Sequence, residues 1–380
     1  MEKENRLLWI DGLKGVSCVF ILIHHYFLGK FPASYFGSER ESLLNGVDTY
    51  LSQSVFSFFM TGNFFVHLYV LITGYVVALQ IKKMNACPDN FFPFSIKRYL
   101  KLFFPLFIYC FLVWLLSLLP DAQPDENVNL LNVFKASIVK ILVLGNQDFG
   151  GHFWMLNYTF LGGLAVSLAG AYSWHLPNFK MLFIFSAIII IALTHKTMGA
   201  FLYATCFAGA FLYFFIDYFQ TVELKHRQLL FTILFLISIF FGAYPTGVTP
   251  SNYYRFFKLP VASGLSPFFW HFLSAFLFFL SVSQIKSLRL FFELSFNQKL
   301  AKYSYLFYIV HGLCIHWSDL LSRKFEQITS MNYVGVCFIF LPVSILLSLG
   351  LAILLQKVLI GPYNKRVNSF VLRCFKREKT

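Results

Sequence analysis

Charged residues are scarce in this sequence. Only 13% of its 380 residues carry a charge, and only 17 are Asp or Glu. Hydrophobic residues make up 58% of the chain, 50 residues are Phe, and the mean hydropathy is +0.65. A soluble globular protein cannot keep so much apolar surface away from water. The composition therefore excludes that class and predicts a polytopic membrane protein.

The sequence motifs of several enzyme and pump classes are also missing. We find no P-loop, no glycine-rich dinucleotide fingerprint and no His-Glu-x-x-His pair, which argues against ATP-driven pumps and zinc hydrolases. The seven cysteines are scattered mostly through apolar segments, and they have neither the paired spacing of metal ligands nor that of a disulfide framework. We therefore expect no metal site and no permanently bound cofactor.

Apolar runs long enough to cross a bilayer recur along the chain and predict an all-α fold with about ten transmembrane helices. The stretch 130–144 is also apolar but carries two lysines, which favours an amphipathic helix lying on the membrane surface. No stretch resembles an added soluble domain, so we expect residues 1–380 to form a single integral-membrane domain. The predicted spans are 8–28, 55–80, 102–119, 152–173, 180–195, 197–216, 229–245, 261–281, 301–317 and 333–356.

The basic residues have a distribution that predicts membrane orientation. The net charge of +14 is compatible with nucleic-acid binding, but Lys and Arg concentrate in alternate loops, as the positive-inside rule requires. Apart from Lys14, 21 of them fall on the side predicted to be cytoplasmic and nine on the other. We therefore expect both termini in the cytoplasm, no nucleic-acid partner and a multi-pass membrane protein. For its location we expect a bacterial inner membrane rather than a eukaryotic organelle.

The first predicted span contains two ionisable residues, Lys14 and His25, separated by ten others. In an α-helix eleven steps return to within about 20° of the start and rise about 16 Å, so the two residues share a face. Asp11 lies one turn from Lys14 and can pair with it. Ionisable residues inside a membrane span are candidates for function, although a buried, hydrogen-bonded histidine is the structural alternative.

Four stretches of the chain follow one another in a characteristic order. The first, 9–25, contains the basic residue, ten residues and histidine of Lys14 and His25. The second is 66–75, and the third, 94–105, contains Arg98 and Lys101 before a proline. The fourth, 303–311, has the pattern Ser-Tyr-x-x-Tyr-x-x-His. Together they resemble, over nearly the whole chain, the membrane acyltransferase 3 family, which acylates sugars of surface polysaccharides.

This resemblance implies an O-acyltransferase, most simply an O-acetyltransferase. It would move an acyl group from acetyl-CoA or another acyl-CoA to a hydroxyl of a cell-surface polysaccharide or of its lipid-linked precursor. The implied catalytic residue is His25, because burial favours the neutral imidazole that accepts a proton. The implied donor-binding residues are Lys14, Arg98 and Lys101, and the implied supporting residues are Asp11, His24, Tyr308 and His311.

Arg98 and Lys101 can also be interpreted independently of the family resemblance. They are one turn apart, and we expect them at a helix N-terminus, where backbone N–H groups and positive charge favour phosphate. Ordinary positive-inside anchoring is the alternative for this pair. His24 is turned about 100° from His25 along the helix, so we expect it to have a structural role.

The chain departs from the family pattern at two positions. His67 stands where the family has an aspartate in the second span. After the family-like His152-Phe-Trp-x-Leu sequence, Thr159 stands where the family often has a glutamate. A second carboxylate acting as general base is therefore not expected.

A transporter or flippase of lipid-linked sugars is the alternative from another functional class. In that hypothesis His25, His67 and His311 would carry protons or bind substrate. Dependence on acyl-CoA separates the two, because an acyltransferase must consume the donor whereas a flippase is indifferent to it. For an acyltransferase, direct transfer and an acyl-histidine intermediate are both compatible with the residues.

Overall fold

The computed structural model describes residues 7–37, 42–83, 90–118, 129–147, 149–173, 176, 178–194, 197–221, 225–247, 252–260 and 265–375. This part of the chain is all-helical and contains no strand. Its α-helices are α1 (Leu8–Lys30), α2 (Ala33–Phe36), α3 (Val47–Ser52), α4 (Gly62–Lys83), α5 (Phe91–Ser117), α6 (Leu130–Lys135), α7 (Trp154–Ser173), α8 (Phe179–Thr194), α9 (Met198–Thr221), α10 (Arg227–Gly242), α11 (Ser266–Gln284), α12 (Lys286–Glu293), α13 (Ser295–Thr329), α14 (Tyr333–Leu355) and α15 (Gly361–Phe375).

Each predicted span overlaps one long helix of the structure. Among the described residues, six helices are long and apolar enough to cross a membrane, which makes the chain an integral membrane protein. They are Leu8–Lys30, Gly62–Lys83, Phe91–Ser117, Met198–Ile216, Ser266–Gln284 and Tyr333–Cys374. The count of ten spans and the cytoplasmic position of both termini stay predictions.

The predicted helix position of Arg98 and Lys101 is wrong. Helix α5 begins at Phe91, so both residues lie two to three turns inside it, away from the free backbone N–H groups of its first turn. Hydropathy alone placed the start of the span after these charges. A helix continues through charged residues because its backbone hydrogen bonds do not depend on apolar side chains. Any anion bound there must therefore be held by side chains.

Two other predicted segments are divided in the structure. The run 55–80 consists of a 3₁₀ segment, Val55–Phe59, and the separate helix α4. In the stretch 130–144, α6 continues into a π-helical segment, Ala136–Lys140, and turns follow it. Seven of the exposed side chains of this stretch are apolar, namely Leu130, Leu131, Phe134, Ile138, Val139, Val143 and Leu144.

Close contact between α4 and α9 fixes the centre of the bundle. A Cβ atom added at Gly74 would lie 1.8 Å from the carbonyl oxygen of Cys206, and one added at Gly209 would lie 2.0 Å from that of Leu71. The two backbones can approach this closely only because both positions are glycine, as is common where helices pack in membranes.

We expect the substitution Gly74→Ala to lower the free energy of unfolding by about 1–3 kcal/mol, because its methyl group would force α4 away from α9. The matched control is Gly350→Ala, since a Cβ atom at Gly350 meets no atom within 4 Å. Thermal unfolding of the two purified variants in the same detergent measures the difference. Equal melting temperatures would contradict the close contact.

Candidate active site

A cavity of about 690 Å³ opens among α1, α4, α5, α7 and α13. It contains every residue that the sequence implicated in donor binding, since Lys14, Arg98 and Lys101 all line it, together with Asp11. These residues come from two helices that are far apart in the sequence. The rest of the lining is Tyr69, Thr73, Val76, Gln80, Lys83, Asn90, Pro93, Phe94, Lys97, Leu102, Leu156, Thr159, Ala301, Ser304, Tyr305 and Val371.

The lining of this cavity is strongly basic. Lys83 and Lys97 add to the three cations already named, and the carboxylate of Asp11 lies 3.7 Å from Lys14 Nζ, measured at Oδ1. A recess lined by charge of one sign focuses its field and raises the local concentration of oppositely charged ligands. The cavity is therefore suited to an anion with more than one negative group.

Arg98 reaches from α5 to the neighbouring helix α7. Its Nη2 donates a hydrogen bond of 2.6 Å to the carbonyl oxygen of Thr159, and Gly163 leaves room for the guanidinium. Its Nε is buried without a hydrogen-bond partner, and Arg98 has no ion pair with a carboxylate in the described parts of the chain. A partly buried cation left in this state favours an anionic ligand.

Thr159 leaves Arg98 without an acidic neighbour on α7. The residue lines the cavity where the family often has a glutamate, and its Oγ1 donates to the carbonyl oxygen of Leu156 at 3.0 Å. Threonine supplies no negative charge, so the guanidinium is not neutralised from α7.

A cluster of three imidazoles lies beyond the cavity. His25 of α1, His311 of α13 and His152, just before α7, have ring centroids 5.2 Å (His25–His311), 4.6 Å (His152–His311) and 6.2 Å (His25–His152) apart. The hydroxyl of Tyr308 donates to the carbonyl oxygen of His152 and ties α13 to this segment. Within the described residues, no group of three or more His, Cys, Asp or Glu side chains could hold a metal ion.

Hydrogen bonds determine which histidine nitrogens can accept a proton. His311 Nδ1 lies 2.5 Å from the carbonyl oxygen of Tyr308, so this nitrogen carries the hydrogen and donates it. The other nitrogen, Nε2, is then a bare lone pair in the neutral ring, and it is buried without a partner among the described residues. The half-buried His25 ring makes no hydrogen bond to any described residue. Both rings are therefore available as proton acceptors.

His24 has different surroundings from His25, although their rings are neighbours. Its Nδ1–H donates to the carbonyl oxygen of Met60 at 2.8 Å, and its ring contacts Tyr35 edge-on at 4.9 Å between centroids. A Cβ atom at Gly62 would lie 2.3 Å from the His24 ring. These contacts hold His24 against the start of α4, as expected of a structural residue.

Three chain segments connect the cavity with the histidine cluster. On α13, Ser304 lines the cavity, and Tyr308 and His311 follow it by about 6 and 10 Å along the helix. On α1, Lys14 lines the cavity and His25 lies about 16 Å further along. On α7, Leu156 lines the cavity one turn after His152. A molecule bound among the cations thus has the histidines one to three helical turns away.

Sequence reasoning did not assign a role to His152. His152 is the first residue of the predicted span 152–173, which starts on the side of the membrane where the first predicted span ends. This shared depth was the signal that could have placed His152 near His25. His67 joins neither the cavity lining nor the cluster. It is fully buried and donates from Nδ1 to Thr205 Oγ1 at 2.9 Å, because the threonine hydrogen is itself donated to the carbonyl oxygen of Phe201.

Comparison with known proteins agrees with the four motifs. A family model described as an acyltransferase domain matches residues 7–349. The comparisons with curated proteins and with solved structures found no match. The matched region covers the cavity lining from Asp11 to Tyr305 and the whole histidine cluster. The chain therefore belongs to the acyltransferase 3 family and is a membrane acyltransferase.

Proposed function

We propose that this protein transfers an acyl group, most simply acetyl, from cytoplasmic acyl-CoA to a hydroxyl of a cell-surface polysaccharide or of its lipid-linked precursor. The proposed location is a bacterial inner membrane. The observation that carries the proposal is the cavity whose cations include Arg98, a guanidinium without a carboxylate partner among the described residues. The phosphates of CoA supply negative charges that balance the excess of cations in this lining.

In this proposal the donor lies with its phosphates among Lys14, Arg98 and Lys101, and its pantetheine arm extends along α1 and α13. The arm is directed toward the histidines because Ser304, which lines the cavity, is followed on the same helix by Tyr308 and His311. The thioester would then lie beside His25, and the acceptor hydroxyl would approach from the opposite side of the membrane.

The reaction needs one base and one leaving group. His25 takes the proton of the acceptor hydroxyl while the oxygen attacks the thioester carbonyl carbon. The C–O bond forms, the C–S bond breaks, and the CoA thiolate leaves and takes up the proton from the imidazolium. The products are the ester and CoA thiol, so neither an oxidant nor a metal is consumed. His311, whose buried Nε2 has no partner among the described residues, stabilises the protonated state of the neighbouring ring.

The test is transfer of radiolabel from acetyl-CoA to membrane glycans by membranes that contain or lack the protein. We expect labelled glycan only when the protein and acetyl-CoA are both present, and inhibition by added CoA. If no label is transferred, and movement of lipid-linked sugars across the membrane depends on the protein and is indifferent to acyl-CoA, the transporter hypothesis replaces this one.

A further inference from the structure

The last helix of the structure lies outside the region that matches the family. The match ends at residue 349, whereas α14 continues through a π-helical segment, Gln356–Ile360, into α15. A π-helical segment inside a longer helix is frequently found at a functional site. The match with the family model therefore does not include α15.

Contacts with α5 fix the position of α15. The Tyr363 ring stacks on Phe104 at 4.0 Å between centroids, and its hydroxyl donates to the carbonyl oxygen of Leu100 at 3.2 Å. Two turns further along, Val371 is buried and lines the cavity that also contains Lys97 and Lys101. α15 thus runs beside the segment of α5 that supplies most of the cavity's cations.

One face of α15 carries polar groups without partners. Asn364, Asn368 and Val371 are four and three residues apart, so they lie within about 60° of one another around the helix. The Oδ1 atoms of both asparagines are buried and have no hydrogen-bond partner in the described parts of the chain. Buried acceptors are normally satisfied, so these two atoms indicate a donor that the described residues do not provide.

We propose that α15 forms a wall of the donor site and contacts the nucleotide end of acyl-CoA. Val371 packs against the ligand, and Asn368, one turn away, accepts a hydrogen bond from it; the exocyclic amine of adenine is a donor of the required kind. This inference rests on the function proposed above. It assigns the specificity for a nucleotide-bearing donor to a helix beyond the matched family region.

The packing of α15 on α5 favours contact with the nucleotide end of the donor rather than with its thioester end. The histidines lie beyond the part of the cavity lined by Ser304 and Leu156. Val371 belongs to α15, which packs on α5. The lining also contains residues from the end of α4 and the beginning of α5, such as Lys83 and Pro93. A donor whose thioester reaches His25 would therefore leave its nucleotide beside α15.

Opposite charges introduced at two adjacent positions test this proposal. Val371 is 7% exposed and lines the cavity, whereas its neighbour Leu372 is 61% exposed. Equilibrium binding of CoA to the purified full-length protein is measured for Val371→Glu, Val371→Lys, Leu372→Glu and Leu372→Lys. Both substitutions at Val371 bury a charge, so any loss of CoA affinity that they share reflects disturbed packing. A difference in CoA affinity between the glutamate and the lysine variant reflects the charge of the bound ligand.

We expect Val371→Glu to bind CoA about tenfold more weakly than Val371→Lys, because the carboxylate repels the ligand's phosphates, with less than about a twofold difference between the two Leu372 variants. Transfer from acyl-pantetheine, which lacks the nucleotide, should differ little between the two Val371 variants. Equal CoA binding by these variants, with normal binding by the wild type, would overturn the role of α15 alone. A wild type that neither binds CoA nor transfers from acyl-CoA would refute the proposed function itself.

Discussion

Replacing His25 with alanine should lower the rate of acyl transfer at saturating donor by about 100- to 10,000-fold, the range usually contributed by a general base. Binding of CoA should change little, because His25 lies about 16 Å along α1 from the cation Lys14. The measurement is label transfer at saturating acetyl-CoA, together with CoA binding to the same preparation. The matched control is His316→Ala, the same substitution at an exposed histidine of α13, which should keep wild-type activity.

The neighbouring histidine makes the assignment of the base testable. If His25 and His311 act as one unit, as their 5.2 Å separation suggests, the variant His311→Ala should also be impaired. The double variant should then transfer acyl groups as fast as His25→Ala alone. When two groups act as a unit, removing either one already abolishes the contribution of both. Wild-type transfer by His25→Ala, with a severe loss in His311→Ala, would move the role of base to His311.

Replacing Arg98 with methionine should weaken CoA binding by about 10- to 100-fold, since a charge-assisted hydrogen bond in a desolvated site is lost. Methionine keeps much of the length of the arginine side chain and removes its charge. Without ligand, the thermal stability of Arg98→Met should equal or exceed that of the wild type, because the variant removes a partly buried cation that no described carboxylate neutralises. Melting temperatures with and without CoA measure both effects.

The control for Arg98→Met is Arg289→Met, the same substitution on α12 and outside the cavity lining. It should leave unchanged the increase in melting temperature that CoA produces. The account of Arg98 would be contradicted if Arg98→Met destabilised the unliganded protein and bound CoA as the wild type does. Arginine would then hold the helices together through its bond to Thr159 rather than bind the donor.

Helix periodicity predicted part of the site from the sequence. The spacing of Lys14 and His25 placed them on one face of one helix, and Asp11 one turn from Lys14. The structure has Asp11 and Lys14 in the cavity and His25 in the cluster beyond it. Such relations are readable because they depend only on helical geometry within one element.

Contacts between different helices could not be predicted from the sequence in this way. The approach of His152 to His311 depends on Gly312, where a Cβ atom would lie 2.5 Å from the His152 ring. The start of α5 at Phe91 was missed because hydropathy marks the apolar part of a helix and not its end. Val371 lines the cavity because α15 packs on α5. Neither composition nor residue spacing contains information on that packing.

The most direct test of the account is the side of the membrane from which the donor is used. Sealed inside-out and right-side-out vesicles containing the protein and its acceptor are supplied with radiolabelled acetyl-CoA from outside, and labelled glycan is measured. We predict transfer in inside-out vesicles, and in right-side-out vesicles only after they are permeabilised. Transfer by intact right-side-out vesicles at the same rate would contradict a cavity that takes acyl-CoA from the cytoplasm.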